Sequence, residues 1–281
     1  MKKKIGIIIS IIFIILCLVA TIYLFPIIKV VQMFWNVSET PQFHYQVSFD
    51  LKEEDLSEEQ RNFVNILSLL LEIEKENCLL WNVEGIVYDN TGYVKLYCEA
   101  FENPITELYL TKEEQIINVG MFYHTMQSSI AENHRLLSKL LPDWNGAEFI
   151  SLEQVEEIFD INLKDFLELE SVANWTMDGS WKSLLWLNKM KKSFGEQGEV
   201  IFETQLEEGK VEFKFQKQEK VPTIEILILD VKGVDSIIRS ECSIIFDAVS
   251  RVDMPTALVS SKNIEILHLL WSIFTTFSDK Y

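Results

Sequence analysis

Apolar residues run from Ile5 to Leu24 without a single charge, directly after Met1-Lys2-Lys3-Lys4, and only later does the chain settle into short alternating and helical patterns. At a rise of about 1.5 Å per residue, some twenty helical residues span about 30 Å, the thickness of a bilayer's hydrocarbon core. The stretch therefore predicts a transmembrane helix, with the three lysines marking its cytoplasmic end. It reads as a retained anchor. The apolar run continues past Pro26 to Ile28, no small-x-small cleavage site follows, and bulky Leu16 precedes Cys17 where a lipidation signal would have Gly or Ala. Val30, Val31, Phe34 and Trp35 can extend the helix into the outer interface, where indole is favoured. Trp35 reads equally as the first contact with the following domain. The expected organisation is a cytoplasmic stub at 1–4, an anchor at 5–28, a juxtamembrane linker at 29–41 and an extracytoplasmic domain at 42–281.

From Phe43 to Leu51, apolar and polar residues alternate with the period of a half-buried strand. Ser57-Glu58-Glu59-Gln60 is a capping box, and Phe63, Val64, Leu67, Leu70, Leu71 and Ile73 form the apolar stripe of the helix it opens. A hairpin follows at Leu79 to Phe101. An Asn90-Thr91 loop would pair 81 with 100, 83 with 98, 85 with 96 and 87 with 94, so that both apolar sets share one face. Strands are expected near Ile105–Thr111 and Gln115–Val119. The period then turns helical in an insert over about 121–195, with a second capping box at Ser151-Leu152-Glu153-Gln154 and a helix from about Trp181 to Lys192. Strands return at Val200–Leu206 and Val211–Phe215. A Glu208-Gly209 loop would pair 202 with 215 and set Glu203 opposite Lys214. Val221–Asp230, Ile238–Val249 and a last helix at about Lys262–Phe277 complete the order. Tight turns between consecutive strands make the sheet antiparallel. The expected fold class is α+β: a transmembrane helix, then a curved antiparallel sheet of about nine strands with helices covering one face.

Charge narrows the partners. Beyond Asn36 the chain carries 21 basic and 43 acidic residues, formally −22. Nucleic acid is excluded as a partner, and the overall field repels anionic lipid. Lys182, Lys189, Lys191 and Lys192 are the one basic concentration; a helix C-terminus accounts for them, and contact with an anionic headgroup or envelope polymer is the alternative. Cys78, Cys98 and Cys242 lack CxxC spacing and read as buried thiols, with one bridge to Cys242 left open.

Signals for chemistry are sparse. His44, His124, His134 and His268 are scattered, with no HExxH, GxSxG, GxxxxGK[ST] or GxGxxG, so neither a metal, a cofactor nor catalysis is expected. The pairs Glu153/Glu157 and Glu156/Asp160 show helical spacing, whereas a glycosidase needs two carboxylates across a cleft. Trp144, Trp175, Trp181 and Trp186 read as core or as a sugar or apolar platform.

The capped helix after a first strand, the Trp81 to Phe101 hairpin, the helical insert and the closing meander from Glu199 to Val249 resemble, in order, the bacterial lipoprotein-carrier (LolA-like) and LppX-like group. That resemblance covers roughly Phe43 to Pro255 and implies a curved sheet over helices enclosing an apolar cavity. The retained anchor departs from that group and argues against free shuttling. The expected function is a non-enzymatic binding domain, held at the cell membrane through residues 5–28, for an apolar or lipid-like ligand or an envelope partner. Trp81, Val83, Leu96 and Phe213 are the candidate cavity lining. The alternative is a closed structural or sensory ectodomain that meets another envelope protein.

Overall fold

A computed structural model of the protein describes residues 24–35, 37, 42–56, 58–89, 91–111, 113–133, 139, 141–159, 187, 189–206, 209–232 and 237–278. Among these, no helix is long and apolar enough to cross a membrane. Of the expected anchor, residues 5–23 lie outside the described residues. Residues 24–28 open a helix, α1 (24–34), which runs on through much of the expected linker.

Eleven strands form one antiparallel sheet: β1 (Gln42–Asp50), β2 (Leu80–Tyr88), β3 (Thr91–Cys98), β4 (Thr106–Leu110), β5 (Gln115–Asn118), β6 (Phe149–Ser151), β7 (Lys191–Phe194), β8 (Val200–Gln205), β9 (Lys210–Gln218), β10 (Val221–Lys232) and β11 (Ile237–Ile245). Their order is β6-β5-β4-β3-β2-β1-β11-β10-β9-β8-β7. One meander runs outward from β1, a second runs inward to β11, and the two meet where β1 pairs with β11. The further helices are α2 (Glu58–Leu71), α3 (Val119–Asn133), α4 (Leu152–Phe159) and α5 (Ser261–Ser278). The α+β class with a curved antiparallel sheet thus holds, with eleven strands where nine are expected. The two additional strands are the edges, β6 and β7. They are three and four residues long, too short to show a period, and both fall inside the expected helical insert. Lys191 and Lys192 accordingly lie on an edge strand and not at a helix C-terminus, where they blunt an open hydrogen-bonding edge.

Both hairpins keep the expected faces but slip by two residues. Trp81 pairs with Cys98 and Val83 with Leu96, because the chain turns one position earlier, at Asp89, which takes the left-handed conformation at φ 57°. In the second hairpin Phe202 pairs with Phe213, and Gly209, at φ 106°, lies against the Leu229 and Asp230 carbonyls where a side chain would collide.

That slip sets Glu203 opposite Glu212 instead of Lys214. Lys210 resolves the repulsion by contacting both carboxylates, at 2.9 and 2.8 Å, while Lys214 pairs with Glu225 on β10. The Lys210 hydrogen bond holds the Glu203 carboxyl below its ordinary value. Such a group contributes stability that is complete above its unfolded pKa and is lost as pH falls through the folded one. Lys210→Met is expected to flatten the loss of stability below about pH 4.5, measured as denaturation midpoint against pH.

Three clusters fill the space under the helices. Val119, Tyr123, Trp144, Ile150, Val155, Ile158, Ile266 and Leu267 join α3, α4 and α5 to the β6 end. Leu56, Val64, Cys78, Leu79 and Ile130 join α2 and α3 to the turn before β2. Ile27 and Val30 of α1 pack on Val200, Phe202, Phe215, Ile224 and Ile226 at the β7 end. The second capping box is present: the Gln154 amide donates to Ser151 Oγ at 3.3 Å, and the Ser151 amide to Gln154 Oε1 at 3.2 Å. Ser151→Ala is expected to cost about 1 kcal/mol in chemical denaturation.

Candidate functional site: the helix-covered face of the sheet

Strand alternation places an unbroken row of side chains across all eleven strands on the helix-covered face. It runs Ile150, Ile117, Leu108, Val94, Gly85, Tyr45, Ile244, Ile224, Phe215, Val200, Phe194. The next row holds Leu96, Val83, Val47, Cys242, Ile226, Phe213 and Phe202. The opposite face of the same strands is charged: Glu107, Lys95, Glu84, Gln46, Ser243, Glu225 and Lys214 succeed one another strand by strand. A period of two thus makes one face apolar and the other a ladder of charges.

Of the expected lining residues, Val83 and Leu96 are direct cross-strand partners, and Trp81 lies two residues along on the same face. The Trp81 indole donates to the Cys78 carbonyl at 2.9 Å, which fixes the ring against the turn preceding β2. Phe213 occupies the same row as Val83 but four strands away, about 19 Å at ordinary strand spacing, and packs in the α1-covered cluster. The four residues share a face, Trp81, Val83 and Leu96 on β2 and β3 and Phe213 on β9.

The sequence did not single out the rings that fill the β7 half. Phe34 of α1 meets Phe215 edge-on at 6.2 Å and Phe246 at 5.2 Å; Phe246 meets Phe43 at 5.4 Å, Phe43 meets Tyr45 at 6.3 Å, and Phe215 meets Phe202 at 5.7 Å. Six rings are therefore in continuous contact from β1 through α1 to β8. At their end the Tyr45 ring covers Gly85, with atoms 2.1 Å from where a Cβ would be. Burial, then the nearby Cys242, pushes the Tyr45 phenol up to about 12, so it stays protonated near neutral pH.

A hollow of about 330 Å³ opens beside Gln46, Glu84, Tyr93, Lys95 and Ser243. At its edge Tyr93 donates to Glu107 at 2.6 Å and Tyr109 donates to the other oxygen at 3.3 Å. Burial, then that carboxylate, raises the Tyr93 phenol far above its ordinary value. His44 contacts Asp247, His124 lies 3.6 Å from Glu148, and His268 is exposed; His134 lies outside the described residues. Among the described residues no group of His, Cys, Asp and Glu could hold a metal. Cys78, Cys98 and Cys242 are all free, and burial pushes Cys78 and Cys242 up to about 11. Trp144 is core: it stacks on Tyr123 at 5.3 Å and donates to Ala147 at 3.3 Å. Trp175, Trp181, Trp186, Lys182 and Asp160 lie outside the described residues. No known family model matches the chain, and no curated protein matches it.

Proposed function

We propose that this chain is a membrane-anchored, extracytoplasmic binding domain without catalytic activity, which holds an apolar guest on the helix-covered face of its sheet. One observation carries the reading: that face already accommodates an apolar helix, with Ile27 and Val30 of α1 buried and Phe34 seated between Phe215 and Phe246. A surface that receives aliphatic and aromatic groups in this way suits an acyl chain or the apolar segment of an envelope partner. Across β1 to β3, Tyr45, Val47, Val83, Val94 and Leu96 are half-buried, and this stretch is the proposed seat of the guest. The element order that resembles the lipoprotein-carrier group supports the same use of the face.

The same helix favours a second reading, a closed sensory or structural ectodomain, since α1 fills the β7 half with the chain's own residues. Photolabelling of the full chain in its membrane with a diazirine fatty acid separates the two. The binding reading expects label on β1 to β3 around Val83 and Leu96. Label confined to residues 5–28 supports the closed ectodomain and rejects the binding reading.

A further inference from the structure

The helix α1 is apolar on two sides, and only one of them meets the sheet. With about 100° between successive residues, Ile27, Val30 and Phe34 fall within about 60° of one another and face the sheet. Leu24, Ile28 and Trp35 fall within about 40° of one another on a different side. All three are exposed, Trp35 by 78% and Ile28 by 42%. Phe25, 51% exposed, extends this stripe and meets Phe194 of the edge strand β7 at 5.9 Å, and Phe194 is itself 50% exposed. The exposed Gln32 falls between Ile28 and Phe25 on this side, and the apolar residues around it have no neighbour in the sheet apart from Phe194.

Two observations identify that neighbour. The stripe begins at Leu24, within the uncharged run that extends from Ile5 to Ile28, so it starts in the outer end of the expected anchor. It then continues to Trp35, about 16 Å along the helix at 1.5 Å per residue, so a helix leaving the membrane upright would lift Trp35 well clear of it. One basic residue of α1 borders the same patch: Lys29 lies over the Phe194 ring at 5.2 Å and donates to the Gly198 carbonyl, whereas Lys191 projects from the opposite face of β7, 79% exposed and 3.7 Å from Glu203. Glu196 and Glu199 in the following turn are the nearby acids. With a formal charge of −22 beyond Asn36, an anionic surface would orient this edge toward itself and repel the remainder.

We infer that α1 lies along the outer surface of the bilayer as a two-faced wedge, its Ile27/Val30/Phe34 side in the sheet and its Leu24/Ile28/Trp35 side, with Phe25 and Phe194, among the lipid headgroups and upper acyl chains. The aromatic rings supply interfacial anchoring, and Lys29, at the border of the patch, faces the phosphates. The sheet is thereby held flat against the membrane, within reach of lipid for the binding face. This inference rests on the membrane-anchored reading.

The test places benzoylphenylalanine at Ile28, Trp35, Phe194 or, as a control, the 75% exposed Leu69 of α2, each in the full chain in nanodiscs of phosphatidylcholine with or without phosphatidylglycerol. Lipid adducts are expected several-fold more often at the three α1 and β7 positions than at Leu69, with a further rise on adding phosphatidylglycerol. Adducts no more frequent than at Leu69, or adducts between two copies of the chain, overturn the inference. Alkaline carbonate extraction of the same chain from cell membranes checks the anchor independently: release into the supernatant overturns the anchor, and with it the wedge. Retention without lipid adducts overturns the wedge alone.

Discussion

Val30→Asp is expected to detach α1 from the sheet. Val30 is 2% exposed among Val200, Phe202 and Phe215, none of which offers a hydrogen bond from its side chain. A carboxylate there would lose its hydration without gaining a partner, and removing the valine forfeits about 1.5–3 kcal/mol of burial besides. Helix release is the cheaper outcome, at a cost of about 3 kcal/mol or more in total stability. Hydrogen exchange on the full chain in detergent would register it as lost amide protection over 24–34, with protection retained in β2 and β3. Unchanged protection over 24–34 would mean that α1 is not held by this contact.

Gly85→Ala is the second large effect, because it reverses the usual sign. In a strand, alanine normally stabilises relative to glycine, by roughly 0.4–1 kcal/mol through the unfolded chain. Here the new Cβ would coincide with the Tyr45 ring, which must swing off the row and disturb Phe43 behind it. A net destabilisation of about 1–3 kcal/mol is expected from overpacking. The same change made in a Tyr45→Ala background is expected to be neutral or stabilising. A double-mutant cycle by denaturation would therefore give a coupling of about 2 kcal/mol, and additivity would show that the ring does not rest on Gly85.

Much of this arrangement is legible in the sequence, and the losses have physical causes. Alternation settles which face each strand residue takes, so Val83, Leu96 and Phe213 are placed on one face correctly. It does not settle register, since a slip of two preserves every face; Asp89 turns left-handed and Gly209 closes against the β10 carbonyls, and these conformations decide the pairing. The edge strands β6 and β7 carry too few residues for a period. The basic cluster at Lys191 and Lys192 suits a helix end and a strand edge equally. Phe34 and Phe246 belong to opposite ends of the chain, so their contact with each other has no local signature. Of the two readings of Trp35, first contact with the domain is met by a side chain that is 78% exposed.

The measurement that bears most directly on the binding face is native mass spectrometry of the full chain released from a mild detergent, alongside a Val83→Asp variant. The account predicts that the unmodified chain retains an apolar adduct of discrete mass and that the variant loses it. A bare chain mass, together with no uptake of an apolar dye by either protein, would contradict the binding reading.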